Sequence, residues 1–156
     1  MDFDVDGEDI RRMEKHMEKE NQDEGLIGNE KIEEAILALQ KVATPERLAH
    51  ALTVIRRRMR EGGEVIVAVE PSIDQTGVKL QAVTASDGSL WWSAFTSFEE
   101  ELKGADRVKS TFLSDIKKLF EAARSVPQIQ GIILNPWNRT IMLDKHLIGI
   151  ILGDEK

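Results

Sequence analysis

The sequence predicts an α+β fold, in which a mainly antiparallel five-stranded sheet packs against helices. Helical periodicity comes first along the chain, three strand-like segments follow, and a helix, a hairpin and a last helix complete it. The stretch 89–101, SLWWSAFTSFEEE, connects the two layers, because an aromatic-rich strand runs directly into a short helix there. Ser97 and Glu100 have the spacing of a capping box, which predicts where that helix begins.

Composition and charge predict a single domain behind an acidic amino-terminal segment. Apolar residues make up 41% of the 156 residues, which is enough for one sizeable core. Residues 1–34 contain 13 acidic and 5 basic side chains, whereas the remainder contains 15 and 16, so the net charge of −7 belongs to the start of the chain. We therefore expect an acidic, detachable segment over 1–29 that includes a helix, and one domain over 30–156.

Composition also disfavours several classes of function. Phosphate binding needs concentrated positive charge, so the acidic balance argues against a nucleic-acid partner. The sequence has no run of 18 apolar residues, and its start, MDFDVDGED, is acidic where a signal peptide would be basic. We therefore expect a cytoplasmic protein without a membrane partner. The absence of cysteine excludes disulfides, thiolate catalysis and cysteine-based zinc sites.

The segment 1–29 contains two patterns with open interpretations. Its opening D-x-D-x-D-G imitates a calcium-binding loop, but Asp9 and Met13 occupy the positions where such a loop has an apolar residue and a bidentate Glu. A solvated acidic tail is the simpler interpretation. Ile10, Met13 and Met17 share one face of a short helix, which could dock on the body or on a partner, or could remain a frayed surface helix.

Two helices are predicted over 29–43 and 44–60. Asn29 can cap the first, and Thr44 followed by Pro45 is a strong start signal for the second. The second helix ends in the densest positive charge of the protein, formed by Arg56, Arg57, Arg58 and Arg60. The helix dipole favours cations at this end. Recognition of an acidic partner surface, or of the acidic start of the chain, is the alternative explanation.

Strand-like patterns occur over 64–70, 78–84, 89–95, 131–134 and 140–143. The first pattern is apolar on both faces, as in a central strand, and a turn ending in Asp87-Gly88 predicts antiparallel pairing of the second with the third. Ser110 is expected to cap a long helix over 111–124, and Asp144 is expected to cap the last helix.

No catalytic or metal-binding constellation is found in the sequence. Its three histidines, His16, His50 and His146, form no close-spaced ligand pair that suggests zinc. Neither a nucleophile elbow nor a glycine-rich phosphate loop occurs. The carboxylates of 99–101 are interpreted as a solvated helix face. We therefore predict no catalytic residue, no metal and no cofactor.

The tryptophans predict a surface for a protein partner. Trp91 and Trp92 are adjacent in a strand, so their side chains point to opposite faces of the sheet, and one of the rings could be exposed. The predicted partner-binding residues are Trp91, Trp92, Asn135, Trp137, Arg139, Arg56 and Arg57. The alternative is that a covering layer or a second subunit buries both rings, and a structural homodimer is a further option.

A rival function uses a cleft rather than a flat surface. Thr96, Ser97 and Asn135 follow strand ends, and a helix amino terminus lies beside them. Such a place could bind a small anion, either in a ligand-binding protein or in an enzyme.

The segments that organise the chain also resemble a known family. The block LWWSAFTSFEEE at 90–101, IILNPW at 132–137 and IMLDKHLI at 141–148 are similar to the SseB amino-terminal domain, a bacterial family, in a resemblance that spans 44–152. This resemblance implies a protein-binding module without enzymatic activity. It also implies, as one form of that function, an accessory or immunity-type partner of a secreted protein.

Overall fold

The computed structural model describes residues 24–70, 79–103 and 110–153 of the chain. The calcium-like pattern and the Met-rich helix predicted before residue 24 lie outside these ranges. Within the described ranges the chain forms five α-helices and seven strands: α1 (Glu30–Lys41), α2 (Pro45–Arg60), β1 (Glu64–Glu70), β2 (Lys79–Leu80), β3 (Ala82–Thr84), β4 (Leu90–Phe95), α3 (Phe98–Leu102), β5 (Ser110–Asp115), α4 (Ile116–Ser125), β6 (Ile129–Leu134), β7 (Ile141–Asp144) and α5 (Lys145–Leu152). None of these helices is both long and apolar enough to cross a bilayer.

Three of the predicted helix caps are confirmed by their hydrogen bonds. Thr44 Oγ1 accepts from the backbone N–H of Arg47 at 3.1 Å, and Asp144 Oδ1 accepts from that of Leu147 at 2.9 Å. The hydroxyl of Ser97 accepts from the N–H of Glu100 at 3.2 Å, as the capping box predicts.

The predicted cap of α1 is wrong. The side chain of Asn29 makes no capping hydrogen bond, and its backbone is already helical, with φ of −68° and ψ of −16°. Its amide is instead used for contacts with distant parts of the chain. Glu30 and Glu33 remain in the first turn of α1, where the helix dipole favours negative charge.

The segment after residue 110 also differs from the prediction. Strand β5 replaces the first turns of the helix expected over 111–124, and α4 begins only after Asp115, whose Oδ1 accepts from the N–H of Lys118 at 3.1 Å. All six residues of β5 pair antiparallel with β1, from Asp115 opposite Glu64 to Ser110 opposite Val69. Pairing of six residues with β1 outweighs the local helical pattern, which carries only a weak intrinsic preference.

The sheet is mixed and has more strands than predicted. β5 pairs with one edge of β1. The other edge of β1 pairs antiparallel with β4 near the start of β1 and with β2 near the end of β1. β3 pairs antiparallel with β4, as the Asp87-Gly88 turn predicted. β6 is parallel to β4 and antiparallel to β7. The α+β class is therefore confirmed, but the five-stranded sheet is only an approximation of the seven described strands.

The main apolar core lies between one face of the sheet and the helices α1, α2, α4 and α5. Its large side chains with almost no exposed surface include Ile36, Ile55, Phe120, Leu143 and Ile148. Burying one such side chain contributes about 1.5–3 kcal/mol, so this face supplies most of the hydrophobic stabilisation.

A smaller apolar cluster covers part of the opposite face. It is formed by Leu26, Ile66, Ala68 and Phe95, with Phe98, Leu113 and Trp137 packed against them. Leu26 belongs to a short 3₁₀ turn, Glu24–Leu26, and both Leu26 and Asn29 are buried. The last six residues of the predicted amino-terminal segment, 24–29, are therefore part of the packed body.

Candidate functional site

None of the three tryptophans is fully exposed. Trp91 is 8% exposed, and its Nε1 donates to Ser89 Oγ at 2.8 Å. Trp92 packs half-buried against the main core. Trp137 is also half-buried and stacks on Phe95 with 5.2 Å between ring centroids. The predicted surface patch is therefore divided, because Trp92 packs against the core on the helical face and Trp137 packs against the smaller cluster on the opposite face.

The arginines at the end of α2 do not form one patch. Arg56 is half-buried beside Gly153 at the end of α5, Arg57 is exposed, and Arg58 is buried. Within the described ranges, no hydrogen bond or ion pair joins Arg56 or Arg57 to the turn after β6. The structure thus divides the residues that the sequence assigned to one partner-binding surface.

Other predicted residues do meet, at the ends of two neighbouring strands. Thr96 follows β4 and Asn135 follows β6, and because these strands are parallel, their carboxyl ends lie side by side. The N–H of Thr96 donates to Asn135 Oδ1 at 2.9 Å, and Asn135 Nδ2 donates to the carbonyl of Arg139 at 3.1 Å. Asn135 has φ of 54°, a left-handed conformation that asparagine adopts more readily than most residues.

Asn29 and Arg58 extend this contact into a buried network. Asn29 Nδ2 donates to the carbonyls of Glu64 and Thr96 at 2.8 and 3.0 Å, and its Oδ1 accepts from Arg58 Nε at 2.9 Å. Arg58 Nη2 donates to the carbonyl of Gly25 at 2.6 Å. These bonds tie the 3₁₀ turn and both amino-terminal helices to the edge where β1 begins and β4 ends.

Two buried glutamates flank Arg139. Glu33 Oε2 accepts from Thr96 Oγ1 at 2.5 Å, and Glu33 Oε1 lies 3.4 Å from Arg139 Nη1. Glu100 Oε2 accepts from Arg139 Nε at 2.7 Å and from Asn138 Nδ2 at 3.0 Å. Glu100 Oε1 is buried and has no hydrogen-bond partner among the described residues.

The interpretation of 99–101 as a solvated face is wrong for Glu100, whose side chain is 0% exposed. Arg139 compensates its charge and Asn138 donates a further hydrogen bond to it, which makes burial of a carboxylate tolerable. We call this set of residues the polar junction: Asn29, Glu33, Arg58, Thr96, Glu100, Asn135 and Arg139.

Arg139 is a fixed cation within the polar junction. Burial by itself lowers its pKa, but the hydrogen bond to Glu100 and the charges of Glu33, Glu100 and Glu99 outweigh burial, so the pKa lies above its ordinary value. Glu99 Oε1 lies 3.6 Å from Arg139 Nη2. The guanidinium of Arg139 therefore faces the carboxylates of Glu33, Glu99 and Glu100.

A pocket of about 270 Å³ opens beside the polar junction. Three of its lining residues are carboxylates, two are large apolar side chains, and the remainder are small and polar: Leu26, Ile27, Asn29, Glu30, Glu33, Thr96, Ser97 and Glu99. Glu30 Oε2 accepts from the N–H of Gly28 at 3.0 Å, and Ile27 is 64% exposed at the rim. Thr96 and Ser97 line this pocket, whereas Asn135, the third residue of the cleft expected from the sequence, does not.

The pocket has no described feature of a metal site. Within the described ranges, no group of three or more His, Asp or Glu side chains is arranged to hold a metal ion. His50 and His146 are both exposed, on α2 and α5. The groups that the pocket offers are carboxylates, hydroxyls, an amide and apolar surface, which suit recognition of a cation.

Sequence reasoning missed four members of the polar junction, although two of them carried a signal. Glu33 lies beside Ile32 and three residues before Ile36, and Arg58 lies three residues after Ile55, so each charge interrupts the apolar stripe of its helix. A charge at a core-facing position requires a buried partner. No comparable pattern marks Asn29 or Glu100, because their partners are distant in sequence.

The fold and the pocket define an α+β protein with an acidic recess at the carboxyl ends of two parallel strands. No family model matches the chain, and neither the curated proteins nor the solved structures contain a significant match to it. The resemblance to the SseB amino-terminal domain therefore stays a prediction from the sequence.

Proposed function

We propose that this chain is a non-enzymatic protein-binding module that accepts a basic side chain of its partner in the acidic pocket. The observation that carries the proposal is the composition of the pocket wall, with three carboxylates and two large apolar side chains around about 270 Å³. The SseB resemblance favours the same class of function. Within that class, we propose an accessory or immunity-type partner of a secreted bacterial protein, acting in the cytoplasm.

The size of the pocket fits one side chain. Pockets that enclose drug-sized ligands measure about 300–1,000 Å³, and this one lies just below that range at about 270 Å³. A lysine or arginine would place its charged end among the carboxylates and its methylene stem against Leu26 and Ile27. Because Ile27 is 64% exposed in the free protein, this contact would also remove apolar surface from water.

The carboxylates are held in position before a ligand binds. Glu33 is fixed by Thr96 and Arg139, and Glu30 is oriented by the N–H of Gly28. Less conformational entropy is lost on binding when the recognising groups are already ordered. Charge-assisted hydrogen bonds contribute about 1.5–3 kcal/mol each, so two of them would suffice for selective recognition.

The same charges disfavour the rival function of an anion site at Thr96, Ser97 and Asn135. An anion in the pocket would approach Glu30, Glu33 and Glu99, and like charges at short range repel each other. Asn135 is fully buried, and its amide is already bonded to Thr96 and to the backbone of Arg139. A basic partner therefore fits the pocket better than a phosphate or a carboxylate ligand.

The proposal is tested with short fluorescent peptides whose central residue is arginine, lysine or glutamate between apolar neighbours. Fluorescence anisotropy should show binding of the arginine and lysine peptides and none of the glutamate peptide. The variant Glu30→Gln/Glu99→Gln should weaken binding by at least about tenfold, because it removes two charge-assisted contacts. Raising the salt concentration should weaken binding by the wild-type protein.

The matched control is Glu34→Gln/Glu121→Gln, which removes the same charge at exposed positions that do not line the pocket. Equal weakening by both double variants would mean general electrostatic attraction and would overturn the proposal. Binding of methylguanidine or butylamine as tight as that of the peptides would indicate a small-molecule site instead. A thermal shift with phosphate, without any peptide binding, would favour the anion site.

A further inference from the structure

The two outer strands of the sheet are protected to different degrees. β7 has four residues, and its last residue, Asp144, is already the cap of α5. Charged residues flank it, with Arg139 before the strand and Lys145 after it. Short, charge-flanked edge strands are a common device against pairing with another chain.

β5 is longer than β7, although it too has charged neighbours in the sequence, with Lys109 before it and Lys117 after it. It has six residues, and only Asp115, at its end, is charged. Within the described ranges no strand pairs with the side of β5 that faces away from β1. Phe112, in the middle of the strand, is 45% exposed. A strand whose first five residues carry no charge and include an exposed aromatic ring is a template for a further strand.

We propose that β5 pairs antiparallel with β5 of a second copy of this chain, so that the two sheets become continuous across a twofold axis. An edge strand is self-complementary in this arrangement, because each copy offers the same backbone groups in opposite directions. A twofold axis at Phe112 places the two Phe112 rings opposite each other on the face that carries the helices. Aromatic side chains that lie directly opposite each other stabilise a pair of antiparallel strands.

The charges of the strand permit this pairing. With the axis at Phe112, the two Asp115 side chains are six strand positions apart, roughly 20 Å, which is beyond the range of strong repulsion at physiological salt. Pairing of single strands buries less surface than a standard interface, so the dimer should be weak, with a Kd of roughly 10–100 µM. This surface is separate from the acidic pocket and does not depend on the proposed function.

Sedimentation velocity over a concentration series from about 1 µM to about 1 mM tests the proposal. The wild-type protein should shift from monomer to dimer. Phe112→Lys should raise the Kd by at least about tenfold, because two like charges would face each other at the axis. Leu102→Lys is the matched control, since Leu102 is 64% exposed on α3 and outside the edge, and it should leave the Kd unchanged.

Circular dichroism and thermal melting establish whether Phe112→Lys folds. Thr111→Lys, at an exposed position of the same strand, serves as a second variant with the same expected result. Amide hydrogen exchange in the wild-type protein should become slower at 110–114 as concentration rises. A monomer at every concentration would overturn the proposal. So would a dimer that Met142→Lys, on the opposite edge strand, disrupts while Phe112→Lys and Thr111→Lys do not.

Discussion

The helical face of the sheet and the polar junction stabilise the protein in different ways. On the helical face, aliphatic and aromatic side chains from α1, α2, α4 and α5 are buried together, and their contacts are many and undirected. In the polar junction, individual atoms are paired at hydrogen-bond distance, as Thr96 Oγ1 is with Glu33 and Arg139 Nε is with Glu100. The core should therefore tolerate changes that keep volume, whereas the junction should not tolerate the loss of one polar atom.

The acidic pocket lies beside the junction, whose contacts hold Glu33 from two sides. The binding function proposed above would use carboxylates that are held in fixed positions in this way. Removal of atoms from each region in turn tests the comparison.

The largest effect is expected from Leu143→Ala in the core. Leu143 is fully buried, so the substitution removes transfer free energy and leaves a cavity, which costs about 3–4 kcal/mol of the free energy of unfolding. Chemical denaturation measures this loss. Leu102→Ala, at a 64% exposed position, should change stability by less than about 0.5 kcal/mol. Similar losses for both variants would contradict the burial that the structure assigns.

Arg139→Met should lower the free energy of unfolding by about 2–3 kcal/mol. This is less than the cost of breaking a fully buried ion pair, because the guanidinium is partly exposed. The substitution keeps much of the volume but leaves Glu33 and Glu100 without their cation. Adding Glu100→Gln should restore part of the lost stability, because the buried charge is then removed. If the two substitutions lowered the free energy of unfolding additively, Arg139 and Glu100 would not interact, and the junction would not depend on this pair of side chains.

Thr96→Val is expected to cost about 1–2 kcal/mol, although the two side chains have nearly the same shape. The change removes the hydroxyl that donates to Glu33 and leaves a buried carboxylate oxygen short of a donor. Thr53→Val is its control, since the hydroxyl of Thr53 bonds only to an exposed carbonyl of its own helix. Equal melting temperatures for wild type and Thr96→Val would mean that the junction tolerates volume-conserving changes as the core does.

The smallest effect concerns Asp87, in the turn between β3 and β4. The side-chain hydroxyl of Ser89, and then its backbone N–H, hold the pKa of Asp87 below its usual value. A carboxyl group with a lowered pKa in the folded state stabilises the protein above its unfolded-state pKa and loses this contribution as pH falls through the folded-state pKa. The melting temperature of Asp87→Asn should therefore lie slightly below that of wild type at pH 7, and the difference should shrink as the pH falls through the folded-state pKa of Asp87. A difference that persists at low pH would exclude a role of the charge.

Much of the local structure could be predicted from the sequence. The starts of α2, α3 and α5 follow from Thr44, Ser97 and Asp144, because a capping side chain acts within three residues of itself. The turn at Asp87-Gly88 likewise determines which strands it joins. The prediction failed at 110–115, where a strand forms because β1 offers six partners that no local pattern reveals.

The candidate site could be predicted only in part. Thr96 and Ser97 were expected at a cleft, and they line the pocket. The charge of that cleft was not foreseen, since Glu30 and Glu33 come from a helix more than 60 residues earlier in the chain. The burial of Trp91 and of Glu100 was also decided by elements that pack around them after folding.

The sequence by itself determined where α2, α3 and α5 begin, which helix faces are apolar and which strands join through a tight turn, since these properties depend on neighbours a few residues away. Only the tertiary structure decided the partner of β5, the parallel pairing of β4 with β6 and the meeting of Asn29, Glu33, Glu100 and Arg139. A buried charge is stable only when another segment supplies its partner, and a strand pairs only with a segment that folding brings beside it, so neither can be read from local sequence.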